Sequence, residues 1–172
     1  IVAMRLLSYS FAILLGLFFS VAGSRATTTV VFPSFELNRF GSEELVKLDD
    51  FAGSIVILDF FAYWCVPCRK VSSDLEEYVQ KFYTAKGGNA AGFPVQVVSM
   101  NIEQGRAAKT RQYIKQTGMN LVLNDVGGKV YQSLNGRGIP YVVVLTETAG
   151  GSHWKISYSH AGYEGYEKVR EV

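Results

Sequence analysis

Ile55-Val56-Ile57-Leu58-Asp59-Phe60-Phe61-Ala62-Tyr63-Trp64-Cys65-Val66-Pro67-Cys68 is the stretch that decides the fold. Its first seven residues are β-branched, aromatic or otherwise apolar at all but one position. That is too apolar for a strand with a wet face, so the pattern predicts a central strand covered on both sides. A helix follows. Val71, Leu75, Tyr78, Val79 and Phe82 stand at offsets 0, +4, +7, +8 and +11, while Arg69, Lys70, Asp74, Glu76, Glu77 and Lys81 take the other face. The two cysteines therefore fall at a strand-to-helix junction.

The chemistry of that junction follows from helix ends. Cys65 is expected at the helix N-terminus, where unpaired N–H groups and the positive end of the dipole stabilise a thiolate and lower its pKa. Pro67 fits there because a first-turn residue has no helical N–H bond to lose. A three-residue step puts both sulfurs on one side of the first turn, at the Cα spacing a disulfide needs, with Cys65 the better exposed. C-x-x-C can also be half of a zinc site. These are the chain's only two cysteines, however, and His153 and His160 lie too far apart for the other arm of a zinc knot, so no metal is expected and a dithiol that opens and closes remains.

Phe60 to Lys70, read as Phe-Phe-Ala-Tyr-Trp-Cys-Val-Pro-Cys-Arg-Lys, resembles the active-site segment of the thioredoxin superfamily. Gly138-Ile139-Pro140 resembles its substrate-facing loop. The likeness covers residues 33–172 and is greatest to the TlpA/ResA-like extracytoplasmic thiol–disulfide oxidoreductases. It implies an α/β, three-layer thioredoxin-like sandwich: a central mixed β-sheet flanked by helices, with an N-terminal hairpin and an inserted helix–strand unit before the proline loop. It implies a cis Ile139–Pro140 bond facing Cys65, which would open the Ile139 amide and carbonyl to an extended substrate segment. Tyr63, Trp64, Val66 and Pro67 would complete the substrate platform. It also implies protein disulfides or dithiols as substrates, a membrane or soluble thiol as electron donor, no cofactor, and a monomer.

Asp59 stands six residues before Cys65, where thioredoxin carries a buried carboxylate. In that strand its pKa would rise by desolvation, making it a candidate to move protons to and from Cys68. The alternative is a strand-end aspartate bonded to backbone amides. Val66 fills the dipeptide position where some relatives carry a glutamate. His153 and His160 are expected to be exposed strand residues.

Outward from the motif, the length of 172 residues with 48% hydrophobic content suits a single domain. The segment Leu6 to Ser24 is uncharged, follows Arg5 and ends in small residues, so residues 1–26 are expected to be a signal peptide or an N-terminal membrane anchor. Either places the domain outside the cytoplasm, in the periplasm or an equivalent compartment. Residues 27–34 make a linker and residues 35–172 the domain. Without Arg5 and Arg25, 15 basic face 15 acidic side chains, which leaves no electrostatic footprint for nucleic acid.

Gly87-Gly88-Asn89 ends the long helix and Val95 to Met100 reads as the next strand. Between Asn101 and Pro140 lies room for the insertion: a helix over Gly105 to Thr117, a strand at Leu121 to Leu123 and a helix from Val126 to Leu134. Tyr141 to Leu145 is a second buried strand. Gly150-Gly151 would turn the chain into a strand from His153 to His160, and a last helix would begin at Gly162. Two other classes remain on the residues alone. A peroxiredoxin-like peroxidase needs a Pro-x-x-x-Thr setting before its cysteine, and Phe60 to Cys65 has no such threonine. A thioredoxin-fold binding module without turnover would be expected to have lost a cysteine.

Overall fold

The structure is a computed structural model that describes residues 31–32, 34–148 and 153–171. The leader of residues 1–26 and the Gly150-Gly151 turn lie outside the described residues. Among those described, a six-stranded sheet runs β1 (Val31–Phe32), β8 (Trp154–Ala161), β7 (Tyr141–Glu147), β4 (Ile55–Phe61), β5 (Val95–Asn101), β6 (Val122–Asn124). β4 is parallel to β5 and antiparallel to β7, and β5 is parallel to β6, so the sheet is mixed. The expected N-terminal hairpin is β2 (Glu36–Asn38) with β3 (Leu45–Lys47). It is tied to the sheet edge by the Phe40 N–H, which donates to the Val122 carbonyl at 2.8 Å. Val31 and Phe32, which the sequence places in the linker, pair with Lys155 and Trp154 as an edge strand.

β4 is covered on both faces, as its composition demands. Val56, Leu58 and Phe60 join a core with Leu48, Val130, Leu134 and Trp154. On that side lie the hairpin and α4 (Lys129–Ser133), the latter held by Phe60, whose ring lies 5.5 Å from Tyr131 and 5.7 Å from Tyr141. Ile57, Asp59 and Phe61 alternate to the opposite face. There they meet α1 (Val66–Asp74), α3 (Ala107–Thr117) and α5 (Tyr166–Arg170), giving the three layers. The insertion is present as α3 and β6. Two boundaries shift: the Val126 segment begins as a 3₁₀ turn through Gly127 and Gly128, and the last helix starts at Tyr166 rather than Gly162.

The long helix departs from the expected 3.6-residue pattern. Between α1 and α2 (Lys81–Lys86) the six residues Leu75–Gln80 form a π-helical segment. Each π turn takes in an extra residue, so the inward face advances in steps of four, through Val71, Leu75 and Val79, all buried. Tyr78, expected inward, is turned out and stacks on Tyr166 at 4.6 Å. Glu76, expected outward, is buried and accepts the Asn120 N–H at 3.3 Å.

Gln80 gives a reason for the π turn. Turned inward, its Oε1 accepts the Val97 N–H of β5 at 2.6 Å and the Gln96 side-chain amide at 3.1 Å. Replacing Gln80 by Ala leaves that buried N–H unpaired, which costs about 1–3 kcal/mol. The expected result is a fall in melting temperature of about 3–10 °C, read by differential scanning calorimetry.

Candidate functional site

Cys65 and Cys68 form a disulfide with Cα atoms 5.3 Å apart. Cys65 is the N-cap of α1, in extended conformation, and its Sγ accepts the Cys68 N–H at 3.2 Å. The sulfur thus sits where backbone donors converge, which is the arrangement that stabilises a thiolate once the bond opens. Both cysteines are buried in the disulfide form, with 4% of Cys65 and none of Cys68 accessible, so the accessible side is that of Cys65. Among the described residues no group of three or more His, Cys, Asp or Glu side chains is placed to hold a metal ion.

The predicted platform residues surround the pair. Ile139 and Tyr63 pack against the buried cluster that contains Phe61, both cysteines and Tyr113. The Ile139–Pro140 bond is cis, and the Pro140 carbonyl is held by the Gly162 N–H at 2.8 Å. Trp64 and Val66 are the exposed apolar residues beside Cys65. The Trp64 Nε1–H donates to Glu103 at 2.7 Å, and Glu103 is itself fixed by Asn101, whose side chain bonds both its N–H and its carbonyl. Pro67 is exposed at the second position of α1.

Asp59 is fully buried beneath α1. Its Oδ2 accepts the Ser72 hydroxyl at 2.7 Å and its Oδ1 has no hydrogen-bond partner, so the backbone-amide alternative does not describe it. Ser72 lies one helical turn beyond Cys68 on the same side of α1, so the carboxyl is bonded to the helical turn that follows the second cysteine. Burial pushes the Asp59 pKa up to about 7, and the Ser72 hydroxyl holds it back from rising further. Tyr113 of α3, stacked on Phe61 at 5.0 Å, faces the same spot. Its hydroxyl is buried without a hydrogen bond of normal geometry, and burial raises its pKa.

Ser72, Glu103 and Tyr113 were missed by sequence reasoning. Ser72 carries a signal, a hydroxyl on the buried face of an amphipathic helix. Glu103 and Tyr113 carry none, being 39 and 45 residues from Trp64 and Cys68 with nothing local to link them.

A disulfide across the first turn of a helix, fed by a central strand and faced by a cis-proline loop, defines a redox pair on a thioredoxin-like fold. Residues 53–150 match the family model described as thioredoxin-like, more than half of the chain, and the chain belongs to that family. The structure is similar to a Chlorobium tepidum protein assigned as thiol:disulfide interchange protein DsbE, with TM-score 0.64 and 28% identity over 81% of this chain and 89% of that one. A secreted thiol-disulfide isomerase from Corynebacterium glutamicum shares the fold, with TM-score 0.65 and 20% identity over 82% and 81%. In sequence the chain is 42% identical to a thioredoxin of Coprinus comatus over 40 residues, 23% of this chain. Matches to curated relatives span 36%, 37% and 25% of those proteins' lengths.

The Asp59 pKa has a stability consequence. Its folded value lies above the ordinary aspartate value of 3.8, so its contribution is fully present below pH 4 and is lost as pH rises through about 7. Between pH 5 and 8 the wild type is expected to lose about 2–3 kcal/mol from this group, at about 1.36 kcal/mol per pH unit of offset. Asp59→Asn removes that slope. Urea unfolding at pH 5 and pH 8 checks it, and parallel pH profiles for both proteins would refute the assignment.

Proposed function

We propose that the protein is an exported thiol–disulfide oxidoreductase that exchanges disulfides with protein substrates through Cys65 and Cys68. The observation that carries this is the Cys65 sulfur at the N-terminus of α1, bonded to Cys68 and packed beside Ile139. In the reductive direction the Cys65 thiolate attacks one sulfur of a substrate disulfide. The substrate S–S bond breaks, a Cys65–substrate bond forms, and the departing thiolate takes up a proton. Cys68 loses its proton to Asp59, directly or through the Ser72 hydroxyl, and attacks the Cys65 sulfur. The second substrate thiol leaves, two electrons have passed to the substrate, and the pair is again a disulfide. The reverse sequence oxidises a dithiol.

Tyr63, Trp64, Val66 and Pro67 form the substrate platform in this reading, and the Ile139 backbone pairs with an extended substrate segment. The pair is recharged by a thiol donor, soluble or in the membrane, and the protein works as a monomer. Export rests on the apolar segment before Ser24 and on the secreted C. glutamicum neighbour. No helix among the described residues is long and apolar enough to cross a membrane. Residues 1–26 act as leader or anchor, 27–34 connect it to the domain and contribute the edge strand Val31–Phe32, and 35–172 form the rest of the working domain.

Turnover of insulin disulfide with a thiol reductant tests the activity. Cys68→Ser is expected to accumulate a mixed disulfide through Cys65, and Cys65→Ser to show no attack, as read by non-reducing mass spectrometry. Activity with peroxide alone, or none with either oxidant, would refute the proposal. Residues 4–30 fused to a reporter that works only after export are expected to give signal. A silent reporter counts against the exported location.

A further inference from the structure

The stretch from Gln104 to Asn124 contains four cations, Arg106, Lys109, Arg111 and Lys115, and no acidic residue. Outside it and the first thirty residues, acids outnumber cations by 15 to 11. A local excess of basic charge therefore lies on α3 and its N-cap Arg106, and α3 packs against α1 beside the disulfide. Lys109, Gln112, Tyr113 and Gln116 stand at i, i+3, i+4 and i+7, so they form one stripe along α3. That stripe, with Arg69 of α1 and with Tyr63 and Trp64, encloses a recess of about 310 Å³.

Both cations at the recess are held in place without being neutralised. The Arg69 guanidinium lies 5.3 Å from the Tyr113 ring centre and donates to Gln116 Oε1 at 2.6 Å. The Lys109 ammonium lies 5.3 Å from the Tyr63 ring centre. Neither has a carboxylate partner among the described residues, whereas Lys47, Lys70, Lys81 and Lys168 each do. The carboxylate at this end of the site, Glu103, is occupied by the Trp64 indole. Aromatic rings and a neutral amide fix the position of a cation and leave its charge available to an incoming anion.

We infer that this recess binds an acidic side chain of the substrate protein, close in sequence to the cysteine under attack. A segment joined to the substrate disulfide is the occupant this placement favours, because the recess is walled by Trp64, the neighbour of Cys65. A carboxylate seated between Arg69 and Lys109 keeps the substrate chain beside the sulfur, and the remaining charge of α3 draws acidic partners towards that side. The inference rests on the proposed exchange activity and adds the class of substrate it favours.

The test uses the full chain, reduced, and two disulfide-bridged peptides that differ only by Asp and Glu, or Asn and Gln, flanking the cysteines. Exchange is followed by acid quench and mass spectrometry. The acidic peptide is expected to react about tenfold faster at low ionic strength, and the ratio to fall towards one in 0.5 M salt, where the Debye length is about 4 Å. In the double variant Arg69→Gln, Lys109→Gln the ratio is also expected to fall towards one at low salt. Lys109→Gln alone, at an exposed position, should give an intermediate ratio if the double variant does not fold. A ratio near one in the wild type, or a ratio that the variants leave unchanged, overturns the inference and leaves the exchange activity standing. Failure to react with either peptide overturns the exchange activity itself. Sedimentation with anionic phosphatidylserine vesicles, lost in the same variants and without peptide preference, would assign the charge to a membrane surface instead.

Discussion

Burial of β4 on both faces is the constraint from which the rest of the molecule follows. A strand with no wet face has to be flanked by other strands and covered above and below, and here β5 and β7 flank it while two sets of apolar side chains cover it. The chain that leaves its end turns back over one face of the sheet, and it does so as the helix α1. The first turn of that helix has unpaired N–H groups wherever it occurs, and a cysteine at its cap is placed among them without further machinery. The reactive position is thus a consequence of how the central strand is buried.

The same burial creates a cost at Asp59. A carboxyl in that strand faces α1 with no cation in contact, and a single hydroxyl offsets part of the desolvation. The group is kept neutral over much of the pH range and ionises near pH 7. An acid poised in that range, bonded to a hydroxyl one helical turn beyond Cys68, suits the proposed exchange chemistry, and the loss of stability when it ionises is the other side of that fitness. Tyr113 closes the remaining side of the cluster and at the same time forms a wall of the basic recess. Core and surface chemistry therefore meet at one residue.

The departures from regular helix and sheet lie close to these demands. The π-helical turn brings Gln80 onto the β5 backbone and Glu76 onto Asn120, which ties the long helix to the sheet and to the insertion. The inserted α3–β6 unit supplies Tyr113, the charged stripe and the strand that fills the sheet edge beyond β5. It adds surface beside the disulfide without altering the strand that carries the motif.

Sequence alone determined the features set by contacts within a turn or two. The uninterrupted apolar run is β4, the cysteine pair lies at a helix start, glycines stop the helices, and Pro140 opens a buried strand. Each depends on dihedral preference, side-chain periodicity or a cap, which act within about four residues. Tertiary structure decided the rest. Val31 and Phe32 became an edge strand because Lys155 and Trp154 offer a free sheet edge more than a hundred residues later. Tyr78 turned outward because a buried N–H on β5 drew Gln80 inward and the helix took in an extra residue to reach it. Asp59 found a hydroxyl rather than an amide or a cation, and Arg69 met α3, through packing of elements distant in the chain. Hydrogen-bond satisfaction and close packing act on whatever the fold brings together, and no local pattern records that choice.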